Sequence, residues 1–299
     1  MFPIAFHPIF KHPLPEGHRF PMLKYDLLPK QLLHEGTADK TDFFEPELAN
    51  MEDVLAVHSQ EYVSSLLQLT IDAKAIRKIG FPLSAELIER EFRIAQGTIL
   101  GSQLAIKHGV AFNIAGGTHH AFEDSGEAFC LLNDQAIAAK YLLNNGLASK
   151  ILIVDLDVHQ GNGTAAIFKN EPRVFTFSMH GKTNYPFKKE TSDLDIPLDD
   201  GTTDAAFLSI LNETLPNLIN AVKPDFIFYL AGVDILETDK LGKLSCTIQG
   251  AKERDKIVLS LCKKNSIPVQ VSMGGGYSPE IKTIIEAHSN TFRAARQIF

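Results

Sequence analysis

The chain reads as an α/β protein built on a mainly parallel sheet, and three observations point there. Short runs rich in Ile, Val and Phe alternate with longer segments of helical periodicity. The runs lack clean polar alternation, as expected for strands covered on both faces. Clusters of Gly, His, Asp and Ser stand where the runs end, and in open α/β sheets ligands bind beyond the carboxyl ends of the strands.

Taken in order, Ile4–His7 is a candidate first strand and Met51–Leu69 a helix ahead of the main series. Helix Ser84–His108 leads into strand Val110–Ala115, and helix Asn133–Asn144 into strand Lys150–Asp157. Strand Val174–His180 follows. Helix Thr203–Val222 then leads into strand Asp225–Gly232, and helix Thr247–Asn265 into strand Pro268–Met273. Asn133 and Thr203 suit N-caps, and Gly146 suits a helix stop. Ser84 opens an imperfect capping box, because position 87 is Leu87 rather than an acid. No repeat, low-complexity tract or linker divides the sequence, so residues 1–299 are expected to form one domain.

Charge narrows the function. The 299 residues carry 36 acidic and 29 basic side chains, a formal net charge of -7, which argues against binding to nucleic acid. No apolar stretch approaches the roughly 18 residues needed to cross a bilayer. The N-terminus lacks the basic start and apolar run of a signal peptide, so a cytoplasmic protein with no membrane partner is expected. Cys130, Cys246 and Cys262 form neither a CxxC pair nor a disulfide framework.

The strand ends carry the chemistry. Asp155, Asp157 and His159 are spaced by two, which on a strand aims all three the same way. Three such groups on an apolar strand are costly to bury without compensation, and a cation supplies it. Asp157 and His159 with Asp234 from another strand end make three protein ligands and leave a fourth position open, as in catalytic zinc sites. Asp155 is expected deeper, orienting a histidine or helping to hold a monovalent cation. A salt-bridged strand end is the alternative. Two-metal sites of the arginase kind need further carboxylates where Gly161 and Leu236 stand, so one metal is favoured.

His119 and His120 follow Gly116-Gly117, whose conformational freedom lets a loop aim both rings into one pocket. Imidazole suits acid–base work near neutral pH. His12, His18, His34, His58, His108 and His288 are read as surface or loop histidines, and His180 as structural or near the rim. Tyr277, after Gly274-Gly275-Gly276, can donate to a carbonyl oxygen and to the oxyanion formed on attack. The glycines do not make a phosphate loop, since neither a Lys-Ser/Thr pair nor GxGxxG spacing follows.

Together these blocks resemble the histone deacetylase family. Gly116-Gly117-Thr118-His119-His120-Ala121 with Phe129-Cys130-Leu131-Leu132-Asn133-Asp134 is similar to its paired-histidine block. The segment from Asp155 to Thr164 resembles its metal block, Gly232-Val233-Asp234 with Asp239 its third-ligand block, and Gly274–Tyr277 its tyrosine block. The stretch Pro13–Tyr25 is similar to the class IV branch and bacterial relatives. The resemblance implies a three-layer α/β/α sandwich, the arginase/deacetylase fold. It implies zinc, or ferrous iron in its place, on Asp157, His159 and Asp234, with His119 and His120 acting beside it and Tyr277 polarising the carbonyl. It also implies a potassium site using Asp155, Ser178 and the backbone carbonyls of Asp157, His159 and Met179.

The implied activity is hydrolysis of an acyl-lysine amide in a protein or peptide. Hydrolysis of small acetylated amines such as acetylpolyamines shares the same chemistry and stays open, as does the division of roles between His119 and His120. A non-catalytic acyl-lysine-binding module would lack one of these groups, and none is missing. Phe129 and Phe187 are candidate walls of an apolar tunnel. The chain departs from many class I members at Gln160 and Asn162, which replace a His and an Asp, and at Thr118, Ala128 and Lys240.

Overall fold

The computed structural model describes residues 2–299. Its strands are β1 (Ile4–Ala5), β2 (Phe43–Phe44), β3 (Val110–Asn113), β4 (Ile151–Asp155), β5 (Val174–Gly181), β6 (Leu194–Leu198), β7 (Phe226–Leu230) and β8 (Val269–Ser272). They form one eight-stranded sheet in the order β2-β1-β3-β8-β7-β4-β5-β6, every neighbouring pair parallel. The helices are α1 (Lys24–His34), α2 (Met51–Leu55), α3 (Gln60–Leu67), α4 (Ala73–Ile79), α5 (Ala85–His108), α6 (Asp134–Asn144), α7 (Asn162–Phe168), α8 (Asp204–Val222), α9 (Ile248–Lys264) and α10 (Ile281–Ile298).

Alternation along β3 defines the layers. Phe112 meets Phe292 of α10 with ring centroids 4.5 Å apart, while Asn113 donates to the Ile94 carbonyl of α5 at 2.9 Å. Successive strand residues face opposite sides, so α5 and α10 cover opposite faces and the sandwich has three layers. All five residues of β4 and of β7 are buried, which explains their unbroken apolar runs.

The strands are shorter at their carboxyl ends than their apolar runs suggest. β4 stops at Asp155 and β7 at Leu230, so Asp157, His159 and Asp234 lie on loops, not on strands. The expected helix Met51–Leu69 is two helices, because the chain turns at Ala56–Ser59 and Ser59 caps α3 by accepting from the Tyr62 N–H at 3.3 Å. Ser84 caps α5 alone, accepting from the Leu87 N–H at 3.1 Å, so the missing acid is not needed. Asn133 caps α6 as expected. Thr203 precedes α8 but makes no side-chain cap.

Candidate active site

The loops after β3, β4, β7 and β8 meet at the carboxyl edge of the sheet. Gly116 and Gly117 both adopt positive φ, and a Cβ on Gly117 would come within 2.9 Å of the Gly274 backbone. Only glycine lets the two loops cross so closely. Asp134, at the start of α6, then fixes the first loop by accepting from the Gly117 and Thr118 N–H groups, both at 2.9 Å, and from the Thr118 hydroxyl at 2.7 Å. This delivers His119 and His120 side by side, ring centroids 4.1 Å apart and both buried.

The two rings differ in partner. His119 donates from Nδ1 to Asp155 Oδ2 at 2.7 Å. His120 Nδ1 lies 2.6 Å from Asn162 Oδ1, while Asn162 Nδ2 donates to Glu127 Oε1 at 2.6 Å. That second bond orients the Asn162 amide, so His120 carries its proton on Nδ1 and turns an Nε2 lone pair to the pocket. Burial opposes charge on His119, but Asp155 overcomes it and holds the ring above the ordinary histidine value. Burial and the neighbouring His119 and His159 drive His120 well below it.

Asp157, His159 and Asp234 place their ligating atoms within 4.8 Å of one another, all buried. His159 Nδ1 is 3.0 Å from Asp157 Oδ1 and 3.1 Å from Asp234 Oδ2. The other oxygens are tied to backbone: Gly275 N–H donates to Asp157 Oδ2 at 2.8 Å and Val158 N–H to Asp234 Oδ1 at 3.0 Å. A Cβ on Gly275 would stand 1.9 Å from Asp234 Oδ2, so that glycine makes room for the carboxylate. Burial disfavours charge on His159, yet its bonds to Asp157 and Asp234 push it up to about 10. A centre that attracts a proton so strongly attracts a divalent cation for the same reason, and the cation would displace that proton. The donor set of one imidazole and two carboxylates fits a catalytic metal centre.

Tyr277 completes the pocket. Its ring lies 6.4 Å from that of His159, and its backbone N–H donates to Asp239 Oδ2 at 2.6 Å. Burial, with Asp234 and Asp157 nearby, raises the phenol well above its ordinary value, so it stays a donor. Phe20 and Phe129, 5.0 Å apart, wall the pocket next to Tyr277. Phe129 and Ala128 both adopt positive φ, a strained setting for such residues. The Ile79 and Lys78 carbonyls of α4 hold them there, accepting their N–H groups at 2.6 and 2.9 Å.

The family model of the histone deacetylase domain matches residues 18–292. The chain belongs to the histone deacetylase family. It is 47% identical over its whole length to a protein of Picosynechococcus sp. of uncharacterised function, covering 99% of it. It is 30% identical to histone deacetylase 2 of Arabidopsis thaliana, over 90% of this chain and 72% of that one. It is 32% identical to a probable deacetylase of Archaeoglobus fulgidus, over 84% and 74%. A crystal structure of the HDA15 HD domain superposes with a TM-score of 0.81 at 20% identity, covering 98% of this chain and 90% of that one. The arginase/deacetylase fold expected from the motifs is therefore the fold observed, and membership of the histone deacetylase family makes this chain a deacetylase-type hydrolase.

All eight residues singled out as catalytic or ion-binding lie at this edge. Asp155 accepts from His119 Nδ1. Ser178 is the register partner of Asp155 across β4 and β5 and bonds His180 Nδ1 at 3.0 Å. Three histidines are corrections: His12, His58 and His288 are buried, not surface residues. His58 accepts the Asn133 N–H at 3.0 Å and donates to the Phe122 carbonyl at 2.9 Å, joining the histidine loop to α6. Phe187 is 90% exposed; it stands at the mouth and does not wall a tunnel.

Several supporting residues escaped sequence reasoning. Lys24 is buried and donates to the Gly274 carbonyl at 2.8 Å. Arg254, also buried, donates to the carbonyls of Leu156, Ala231 and Gly232 at 3.3, 3.3 and 2.5 Å and pairs with Asp255. It ties together the loops that carry Asp157 and Asp234. Removing one partner of such a buried pair costs about 3–5 kcal/mol.

Proposed function

We propose that this chain is a zinc-dependent lysine deacylase, in which Asp157, His159 and Asp234 hold the ion and His119, His120 and Tyr277 do the work of the protein beside it. One observation carries the reading: two backbone-pinned carboxylates share a single imidazole nitrogen a short distance from a histidine pair and a partly buried phenol. Zinc, when bound, polarises the scissile carbonyl and acidifies water.

The residues divide the remaining labour. Neutral His120 presents Nε2 to accept a proton from the attacking water, held by Asn162. His119, whose hold on a proton Asp155 strengthens, contributes positive charge, when protonated, where the tetrahedral oxyanion develops. Tyr277 donates to that oxygen, with a bond that strengthens as charge builds. The protonated imidazole then returns its proton to the departing lysine amine. Phe20 and Phe129 keep water from the lysine methylenes. The register pairing of Asp155 with Ser178 supports a potassium ion behind the zinc centre.

The test is a panel of acetyl-lysine peptide, longer acyl-lysine peptide and acetylspermidine offered to zinc-reconstituted protein with its metal content measured. Hydrolysis of the peptides at one ion per chain is expected. Preference for acetylspermidine would move the assignment to small acetylated amines. Cleavage of no amide by metal-loaded protein would end it.

A further inference from the structure

The mouth of the pocket carries a charge opposite to that of the whole chain. A cavity of about 540 Å³ leads in past Phe129 and Tyr277. Arg19, Lys78 and Lys243 are the permanently charged side chains that line it, and no carboxylate does, although the chain as a whole has a net charge of -7.

The three cations are not equally satisfied. Lys78 pairs with the buried Glu127, so it adds little net charge. Lys243 donates to the Thr183 hydroxyl at 2.8 Å and only approaches Asp200, at 3.8 Å with both side chains about half exposed. Arg19 lies over the Phe129 ring at 5.0 Å from its centroid. Its guanidinium has no hydrogen-bond or ion-pair partner among the described residues. Phe129 also walls the pocket, so this stack holds a free, forked donor beside the entrance. Guanidinium in that setting matches carboxylate geometry with two parallel bonds.

We infer that the mouth selects acyl-lysine segments flanked by acidic residues, with Arg19 as the principal anchor and Lys243 as a second. This rests on the deacylase reading and adds the substrate class to it. A polycationic substrate, whether a basic tail or an acetylated polyamine, meets repulsion there.

The test uses acetyl-lysine peptides identical except for Glu, Gln or Lys on both sides of the acyl-lysine. Steady-state kinetics are measured on the zinc-loaded protein, and fluorescence anisotropy follows binding of the same labelled peptides. Exposed pairs of this kind act individually within a few-fold, so the Glu peptide should exceed the Lys peptide by about tenfold in kcat/KM at low salt. The gain should lie in KM, shrink with added salt, and disappear or invert in Arg19→Glu with Lys243→Glu. Lys30→Glu with Lys282→Glu, in a separate groove formed with Leu27 and Ile281, changes net charge equally and should preserve the preference.

Turnover with no acidic preference, or a preference that survives the double reversal, overturns the inference while leaving the deacylase reading intact. Ordered binding by anisotropy without turnover of any peptide keeps the inference and removes the chemistry. Stronger turnover of free Nε-acetyl-lysine than of the Glu peptide would overturn the peptide as the source of the anion.

Discussion

At the floor of the site each carboxylate oxygen of Asp157 and Asp234 is committed, to a backbone N–H or to His159. At the mouth, 90% of Phe187 is exposed, and the Arg19 guanidinium lies over an aromatic ring without an ion-pair partner among the described residues. The contrast separates two requirements. Chemistry needs atoms fixed in place before substrate arrives, so the floor is held by bonds from four loops. Recognition of a flexible segment needs groups whose partners are still to come, so the mouth keeps its donor and its apolar surface uncommitted.

If the floor works as a unit, removing one member should cost far more than any change at the mouth. Asp157→Ala leaves Gly275 N–H without its acceptor and His159 with one carboxylate. Bound zinc should fall well below one per chain, and activity should drop by more than about a hundredfold. Tyr277→Phe should retain zinc and lose roughly 10²–10³ in kcat with little change in KM, as for an oxyanion donor. Metal analysis beside single-turnover kinetics separates the two variants. Near-normal kcat in either would show that the floor is not the unit described.

A smaller effect tests the bonds beneath the floor. Burial lowers His58 from 6.5 to about 4, and its position requires the neutral ring, because Nε2 accepts from Asn133 while Nδ1 donates to Phe122. Between those values the unfolded chain binds a proton that the folded chain refuses. Stability from this group is therefore complete above pH 6.5 and lost as the pH falls through about 4, by up to about 3 kcal/mol. Urea unfolding across that window should show wild type losing more stability than His58→Gln. The variant starts lower at pH 7 because a bridge is gone. Parallel curves would remove His58 from the support of the histidine loop.

The same contrast explains what the sequence could reveal. The floor was legible because its residues stand in short blocks at the ends of apolar runs. The physical reason attached to one block was nonetheless wrong. Period-two alternation cannot aim Asp157 and His159, since β4 ends at Asp155; Asp234, bonding the Val158 N–H, does part of that work. Bonds between distant positions left no local mark. Arg254 reaches a carbonyl 98 residues away and Lys24 one 250 residues away. His58 and His288 look like solvated polar positions until the fold buries them. The charge of the mouth was hidden for a related reason, because a net charge says nothing about which face its few cations occupy.

The smallest expected effect decides whether the mouth is a recognition surface at all. Phe187 meets Tyr185 at 6.3 Å between ring centroids, and Tyr185 meets His120 at 5.1 Å, so the aromatic row runs from solvent to the histidine pair. An aromatic side chain this exposed contributes little to folding, and Phe187→Ala should leave the unfolding free energy within about 0.5 kcal/mol. A peptide lying across the entrance would cover its apolar surface. Losing an edge contact of about 0.5–1 kcal/mol raises KM some two- to fivefold without changing kcat. Urea unfolding and steady-state kinetics on one acyl-lysine peptide measure both quantities. A fall in kcat at constant KM would instead mean that Phe187 acts through Tyr185 on His120. The aromatic row would then belong to the fixed floor, and the boundary between floor and mouth would have to be drawn outside it.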